Sequence, residues 1–296
     1  MRRRFVWPTF AAPGIVWLVL LFILPLYVVL ALAFGTLDPL FLTPNPTWNP
    51  FQWDPTQFQY VFQHLWGTEG FVGPVLVRTL MFVVIASVGC LLIAYPVAYY
   101  VARFGGRRKG LILTLLIAPF WISYMMRMLA WVNLLQTDGW VNKGLSLFGL
   151  FDVHTAWLDG RSTTVVLGLV YGYVPYMILP LFAGLDRIDQ SMLEAARDLG
   201  ASRFSTFRRV TLPMSKAAVV ASLLLVSLPM VGDYFTNDLL SASPSTAMFG
   251  NIINNASYVP QQIGQAAAFL VIMFIILLAP MLYYVRMTNR AEGETV

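Results

Sequence analysis

The sequence predicts an all-α membrane protein of six transmembrane helices with both termini in the cytoplasm. Three observations carry that prediction. Hydrophobic residues make up 58% of the 296-residue chain against 11% charged, and the mean hydropathy is +0.69. Soluble domains sit near ~45–50% apolar and ~25% charged. The apolar residues gather in runs long enough to cross a hydrocarbon core of ~30 Å. Of 19 Lys and Arg residues, 15 fall in four segments that alternate with outer loops, as cytoplasmic segments do. Runs without strand alternation or turn residues must be helices, because a helix satisfies its own backbone in lipid.

Arg2, Arg3 and Arg4 precede the first run, residues 14–35. Signal-peptide apolar regions are ~7–15 residues long, so this longer run reads as an uncleaved first span with its amino end inside. Residues 36–73 are rich in Pro and aromatics and carry Asp38, Asp54 and Glu69 without a Lys or Arg. Trp48, Trp53 and Trp66 suit a layer at the outer membrane surface. The second span is residues 74–102, closed by a basic turn with Arg103, Arg107, Arg108 and Lys109. The third is 111–135, with Arg127 inside it, and the fourth is 163–184, with Pro175 and Pro180. The fifth, 217–231, is short and runs into Gly232 and Asp233; the sixth is 264–285. The domain reading follows: residues 1–73 as first helix and first outer loop, 74–287 as a five-helix core, and 288–296 as a cytoplasmic tail.

Composition also excludes functions. Cys90 is the one cysteine, so no disulfide or thiolate metal cluster forms within the chain, and His64 and His154 lie apart in outer loops without ligand spacing. No G-x-x-x-x-G-K-[ST] loop occurs, so the chain does not itself cradle a nucleotide triphosphate. The net charge of +5 reflects membrane orientation, and nucleic acid is not expected as a partner.

One stretch breaks the apolar pattern. Residues 185–213 hold Arg187, Arg197, Arg203, Arg208 and Arg209 against Asp186, Asp189, Glu194 and Asp198. Met192, Leu193, Ala195, Ala196 and Leu199 recur at helical spacing. Gly200 sits where a helix ends in a left-handed residue, and Ser202 can cap a second helix with Phe204, Phe207 and Val210 on one face. The expectation is two short amphipathic helices lying flat on the cytoplasmic surface, a form that lies on lipid or docks a partner.

These residues carry a resemblance. Glu194-Ala195-Ala196, Gly200 after three residues, and Val210-Thr211-Leu212-Pro213 resemble the EAA loop of permease subunits of binding-protein-dependent ABC importers. Val210 stands where that family has isoleucine. Pro119-Phe120-Trp121 with Arg127 and Trp131, the run from Glu194 to Ser202, and Asp238-Leu239 are similar to the spermidine/putrescine permeases within it. The resemblance implies the type I ABC importer permease fold in the cell inner membrane, with no catalytic residues and no cofactor in this chain. It implies as partners a second permease subunit, two ATP-binding subunits that hold ATP and Mg, and an extracytoplasmic substrate-binding protein. Glu194, Ala195, Ala196, Arg197, Gly200, Phe204 and Phe207 would meet the ATPase. For Glu194 the alternative is a local pair with Arg197, worth only ~0.2–0.5 kcal/mol.

Charge and aromatics after the short fifth span point to the substrate path. Asp233 and Asp238, with Tyr234 and Phe235 beside them and Tyr124 and Trp121 across, suit a polyamine through ion pairing and cation–π contact. The alternative for the two acids is a solvated outer loop. Arg127 opposes a cationic cargo and is expected to be paired structurally; as a ligand it would favour an anion importer. Permeases for ferric iron, sulfate, thiamine or opines share much of the pattern. A secondary transporter would show inverted repeats, and an intramembrane hydrolase would need a catalytic set that the sequence lacks.

Overall fold

The computed structural model describes residues 6–38, 40, 42–66, 70–147, 149 and 155–293. The chain divides into two compact units, residues 1–74 with 252–277, and residues 75–251 with 278–296.

In the first unit, α1 (Val6–Leu18) continues through a π-helical turn (Val19–Ile23) into α2 (Leu24–Ala33). The π turn has a local cause. Pro25 lacks an amide proton and its ring crowds the carbonyl four residues back, so the helix loosens by one residue and Leu24 N–H reaches Val19 O instead. Residues 11–24 are exposed, whereas Ala31 and Ala33 are fully buried. There the outer loop folds back: Thr47 N donates to Ala31 O at 2.9 Å, and Phe34 stacks on Trp53 with centroids 4.4 Å apart. A two-residue hairpin, β1 (Thr36–Leu37) against β2 (Pro44–Asn45), and α3 (Thr56–Gln63) complete the loop.

The second unit is built on α4 (Val72–Phe104) and α8 (Ser162–Asp186), both single unbroken helices. Between them lie α5 (Lys109–Ile117), α6 (Tyr124–Leu135) and α7 (Trp140–Leu147). After α8 come α9 (Gln190–Asp198), α10 (Arg203–Thr206), a second π turn (Phe207–Thr211), α11 (Leu212–Met214) and α12 (Lys216–Val231). Then α13 (Phe235–Leu240) follows, and after it α14 (Phe249–Ser257) and α15 (Ile263–Gly293), whose residues 252–277 belong to the first unit. The second π turn repeats the cause of the first: Leu212 N–H reaches Phe207 O one residue before Pro213.

Among the described residues, four helices are long and apolar enough to cross a membrane: Ala11–Ala33, Val72–Phe104, Ser162–Asp186 and Pro260–Arg286. Two further candidates are bent pairs, Gly106–Trp121 with Tyr124–Leu135 at 79°, and Arg203–Met214 with Lys216–Val231 at 60°. The expected third span, 111–135, is therefore not one straight helix. Pro119 lies in a 3-10 turn, Ala118–Trp121, and Ile122 and Ser123 are extended before α6 begins. The region after the fifth span also differs from an open loop, because α13 and α14 form there.

Small residues let these pieces close. A Cβ on Gly172 would lie 2.5 Å from the Tyr124 ring, and one on Gly168 would lie 2.3 Å from Leu240 Cδ1. Only glycine at these two points allows α6 and α13 to lie directly on α8. Met128, Leu135 and Leu240 form the buried cluster that fixes them there.

Candidate substrate cavity and coupling surface

Asp233 is the hub of the polar structure beyond α12. It is 7% exposed. Its Oδ1 accepts from Thr236 N at 3.0 Å, which caps the turn opening α13. Its Oδ2 lies 2.7 Å from Thr236 Oγ1, 3.0 Å from the Tyr124 hydroxyl and 3.2 Å from the Tyr173 hydroxyl. The Tyr124 and Thr236 oxygens are themselves 2.5 Å apart, so their two protons are shared among three contacts. One carboxylate thereby joins α6, α8 and α13. Neutral donors satisfy it without cancelling its charge, at ~1.5–3 kcal/mol for each bond to a charged group.

A cavity of about 480 Å³ opens beside it, lined by Tyr124, Tyr173, Tyr176, Tyr234, Phe235 and Asp233 among others. The Tyr234 and Phe235 rings are stacked at 4.2 Å. The arrangement is an aromatic box with an anionic corner, suited to an organic cation with an apolar stem. A larger cavity of about 670 Å³, walled by Phe82, Ile85, Leu167 and Val170, has an almost wholly apolar lining and no charged group; size alone does not mark the site.

Not every expected residue reaches the cavity. Asp238 is exposed and its Oδ1 accepts from Asn251 Nδ2 at 2.6 Å, away from the lining residues. Asn251 also donates to Tyr234 O at 3.1 Å and accepts from Met248 N at 2.7 Å. Asp238 thus belongs to the lock that holds Tyr234, while Asp233, five residues earlier, faces the cavity. Trp121 is 79% exposed at the break before α6 and does not line the cavity.

Arg127 corrects a second expectation. It is 5% exposed, yet it makes no ion pair among the described residues, and its Nε and Nη1 have no hydrogen-bond partner. Its guanidinium instead lies over Phe120 at 4.5 Å, Tyr124 at 5.5 Å and Tyr171 at 5.8 Å. Desolvated cation–π contacts are worth up to ~2 kcal/mol each. Three such faces are the right size to offset the ~2.5–3.5 kcal/mol of an arginine inside a membrane. Phe120 and Tyr124 entered the sequence reading as a motif residue and a substrate-path residue, not as faces for Arg127.

On the other polar surface, Asp189 caps α9 by accepting from Ser191 N at 3.3 Å. The helix ends with Gly200 at φ +86°, Gly200 N donating to Arg197 O and Ala201 N to Ala196 O. That pair of bonds is the Schellman closure, which needs the left-handed glycine. Ser202 then caps α10 through Ser205 N at 3.2 Å. Glu194, Ala195 and Arg197 are exposed and Ala196 is half-buried, while Leu193 turns inward. Glu194 forms no ion pair with Arg197 or any other described residue. Leu199 is 90% and Phe204 71% exposed, an apolar rim beside Glu194 that its own chain leaves uncovered.

The expected single face of Phe204, Phe207 and Val210 does not form. Phe207, at the start of the π turn, packs edge-on against Tyr95 and Tyr99 of α4 at 6.0 and 5.5 Å, while Phe204 is exposed. Sequence reasoning missed Thr236, Tyr176 and Asn251. The small-xxx-small pair Gly168 and Gly172 was the available signal that another element approaches α8.

Residues 91–291 match the family described as binding-protein-dependent transport system inner membrane component. Among curated relatives, the spermidine/putrescine transport system permease protein PotB of Escherichia coli (strain K12) is 36% identical over 179 residues, 60% of this chain and 64% of that protein. The chain therefore matches less than two thirds of the length of that relative. PotB of Haemophilus influenzae (strain ATCC 51907 / DSM 11121 / KW20 / Rd) is 32% identical over 239 residues, 81% of this chain and 79% of its own. Among solved structures, a chain of a bacterial alginate ABC transporter in complex with an alginate pentasaccharide-bound periplasmic protein shares the fold. Its TM-score is 0.74 at 18% identity, covering 98% of this chain and 96% of that one. A chain of the MetNI methionine ABC transporter follows at 0.54 and 16%, covering 73% and 94%. The family match over residues 91–291 shows that the chain belongs to the binding-protein-dependent transport system inner membrane component family and is a multi-pass membrane protein.

Proposed function

We propose that this permease imports a polyamine of the putrescine or spermidine class. The observation that carries the reading is the cavity of about 480 Å³ in which Asp233 meets four tyrosines and Phe235. An ammonium group pairs with the Asp233 carboxylate, the aromatic faces take the methylene stem and its charge, and little else in the lining selects for size. The polyamine names of the relatives above support the same cargo class. Arg127, the residue that favoured an anion, is enclosed by rings and is not among the cavity lining.

In this reading the bent pair Gly106–Trp121 with Tyr124–Leu135 is one span and Lys216–Val231 is another, with Arg203–Met214 outside the membrane, giving six spans with both termini cytoplasmic. The segment 185–213 is then the coupling loop. The chain pairs with a second permease, two ATPase subunits and an outer substrate-binding protein, and ATP and Mg stay on the ATPase. Glu194 and its rim, Leu199 and Phe204, seat in a cleft of that ATPase, whose ATP-driven closure moves the cavity between inward and outward access. Gly200 provides the bend that presents the rim.

The test is ATPase activity of the reconstituted complex with its binding protein, in the presence of putrescine, spermidine, sulfate, thiamine or ferric iron. Stimulation by the two polyamines is expected. Stimulation by sulfate, with none by either amine, overturns the cargo assignment.

A further inference from the structure

Helix α4 carries an arginine near each end, and each grips a different functional segment by its backbone. Near the cytoplasmic end, Arg103 Nη1 donates to Ile188 O and Nη2 to Leu185 O, both at 3.0 Å. These carbonyls close α8 and open the segment that carries Glu194. The same end of α4 is tied again where Tyr95 OH meets Ser215 Oγ at 2.9 Å, beyond the second π turn. Near the other end, Arg78 Nε donates to Ala247 O at 2.9 Å, Nη1 to Ser245 O at 2.7 Å, and Nη2 to Ala247 O and Pro244 O. Next to it, Thr79 Oγ1 accepts from Phe249 N at 2.8 Å, at the start of α14. Two residues on, Asn251 binds Asp238 and the carbonyl of Tyr234, whose ring lines the cavity.

We infer that α4 is the strut by which motion of the coupling segment reaches the cavity, with Arg103 and Arg78 as positioning residues at its two ends. The inference rests on the coupling reading proposed above. The physical grounds are stiffness and grip. Between Arg78 and Arg103 the helix runs unbroken for ~38 Å at 1.5 Å per residue. A guanidinium fork bound to two or three carbonyls resists rotation, where a single hydroxyl bond would swivel. Neither arginine touches the cavity lining, so neither acts on cargo directly.

The experiment reads movement rather than cargo. In the assembled complex with Cys90→Ser, Leu225→Cys places a thiol on the cavity wall, and its rate of maleimide labelling is measured with and without ATP. Arg78→Gln and Arg103→Gln are each expected to reduce the ATP-dependent change by about tenfold, the effect of losing charge-assisted bonds of ~1.5 kcal/mol or more. Because the two sit in series, the double variant is expected to fall no further than the worse single. Arg→Lys at either site should restore part of the response, since charge returns without the fork; if a Gln variant does not assemble, the Lys variant takes its place in the cycle. Losses that multiply in the double variant, or an unchanged response in either single, overturn the strut. Glu194→Lys, run alongside, separates the two readings: a normal ATP response there removes the coupling assignment. A dead Glu194→Lys beside normal arginine variants removes the strut alone.

Discussion

The segment around Glu194 and the segment around Asp233 have similar content, a short helix with acids and aromatics after a long apolar run, and opposite treatment. Around Glu194 the backbone is tightly capped while the side chains are left in the open: Glu194 is unpaired and Leu199 and Phe204 are uncovered. Around Asp233 the side chains are themselves the fastening, with Tyr124, Tyr173 and Thr236 converging on one carboxylate. On the coupling role proposed above, the first surface keeps its groups unsatisfied until a separate protein arrives. A site made for a small solute is organised beforehand, so that binding does not have to order it.

Substitutions break this comparison in order of size. Glu194→Lys reverses a charge at the proposed docking surface, where such pairs carry ~2–5 kcal/mol. Uptake is expected to fall by about 100-fold with membrane insertion intact; normal uptake would show that the exposed acid is idle. Asp233→Asn keeps shape and removes charge. It should raise the KM for a polyamine by about tenfold or more, and an unchanged KM would move the cation site elsewhere. Because nothing lies within 4 Å of a Cβ on Gly200, any effect there must come from its positive φ. Gly200→Val is therefore expected to cost uptake through ~1–2 kcal/mol of left-handed strain, with Gly200→Asn milder. Equal effects of the two would point to contact with the partner instead. Tyr124→Phe removes one donor from Asp233, for about a fivefold change in KM from ~1 kcal/mol. Smallest of all, Arg127→Met should leave both thermal stability and uptake near wild type. A flexible apolar chain suits three rings as well as an unpaired guanidinium does, and a large loss of uptake would assign Arg127 to the transport path.

The fastening also explains what could be read in advance. The spans over α4 and α8 and the closure at Gly200 depend on local composition, residue by residue, and their sequence signals suffice. Proline placement was visible but its consequence was not. Pro119 and Pro213 enter as motif residues, but Pro119 breaks the third span and the helix loosens into a π turn before Pro213. The structural pairing expected for Arg127 gave no hint of its ring partners, because the rings at positions 120, 124 and 171 come together only when α6 lies against α8.

What the sequence by itself determined is the membrane, the helices and the charged segment at 185–213, since apolar runs, basic residues and a glycine at a helix end act through neighbours in the chain. Which acid serves the cavity was decided only by tertiary structure. Asp233 and Asp238 follow the same span, five residues apart, with aromatics beside both. Gly168 and Gly172 admit α13 and Tyr124 onto α8, and that approach buries Asp233 among hydroxyls while leaving Asp238 to lock Asn251. Contacts between distant helices choose between two carboxylates that local chemistry treats alike.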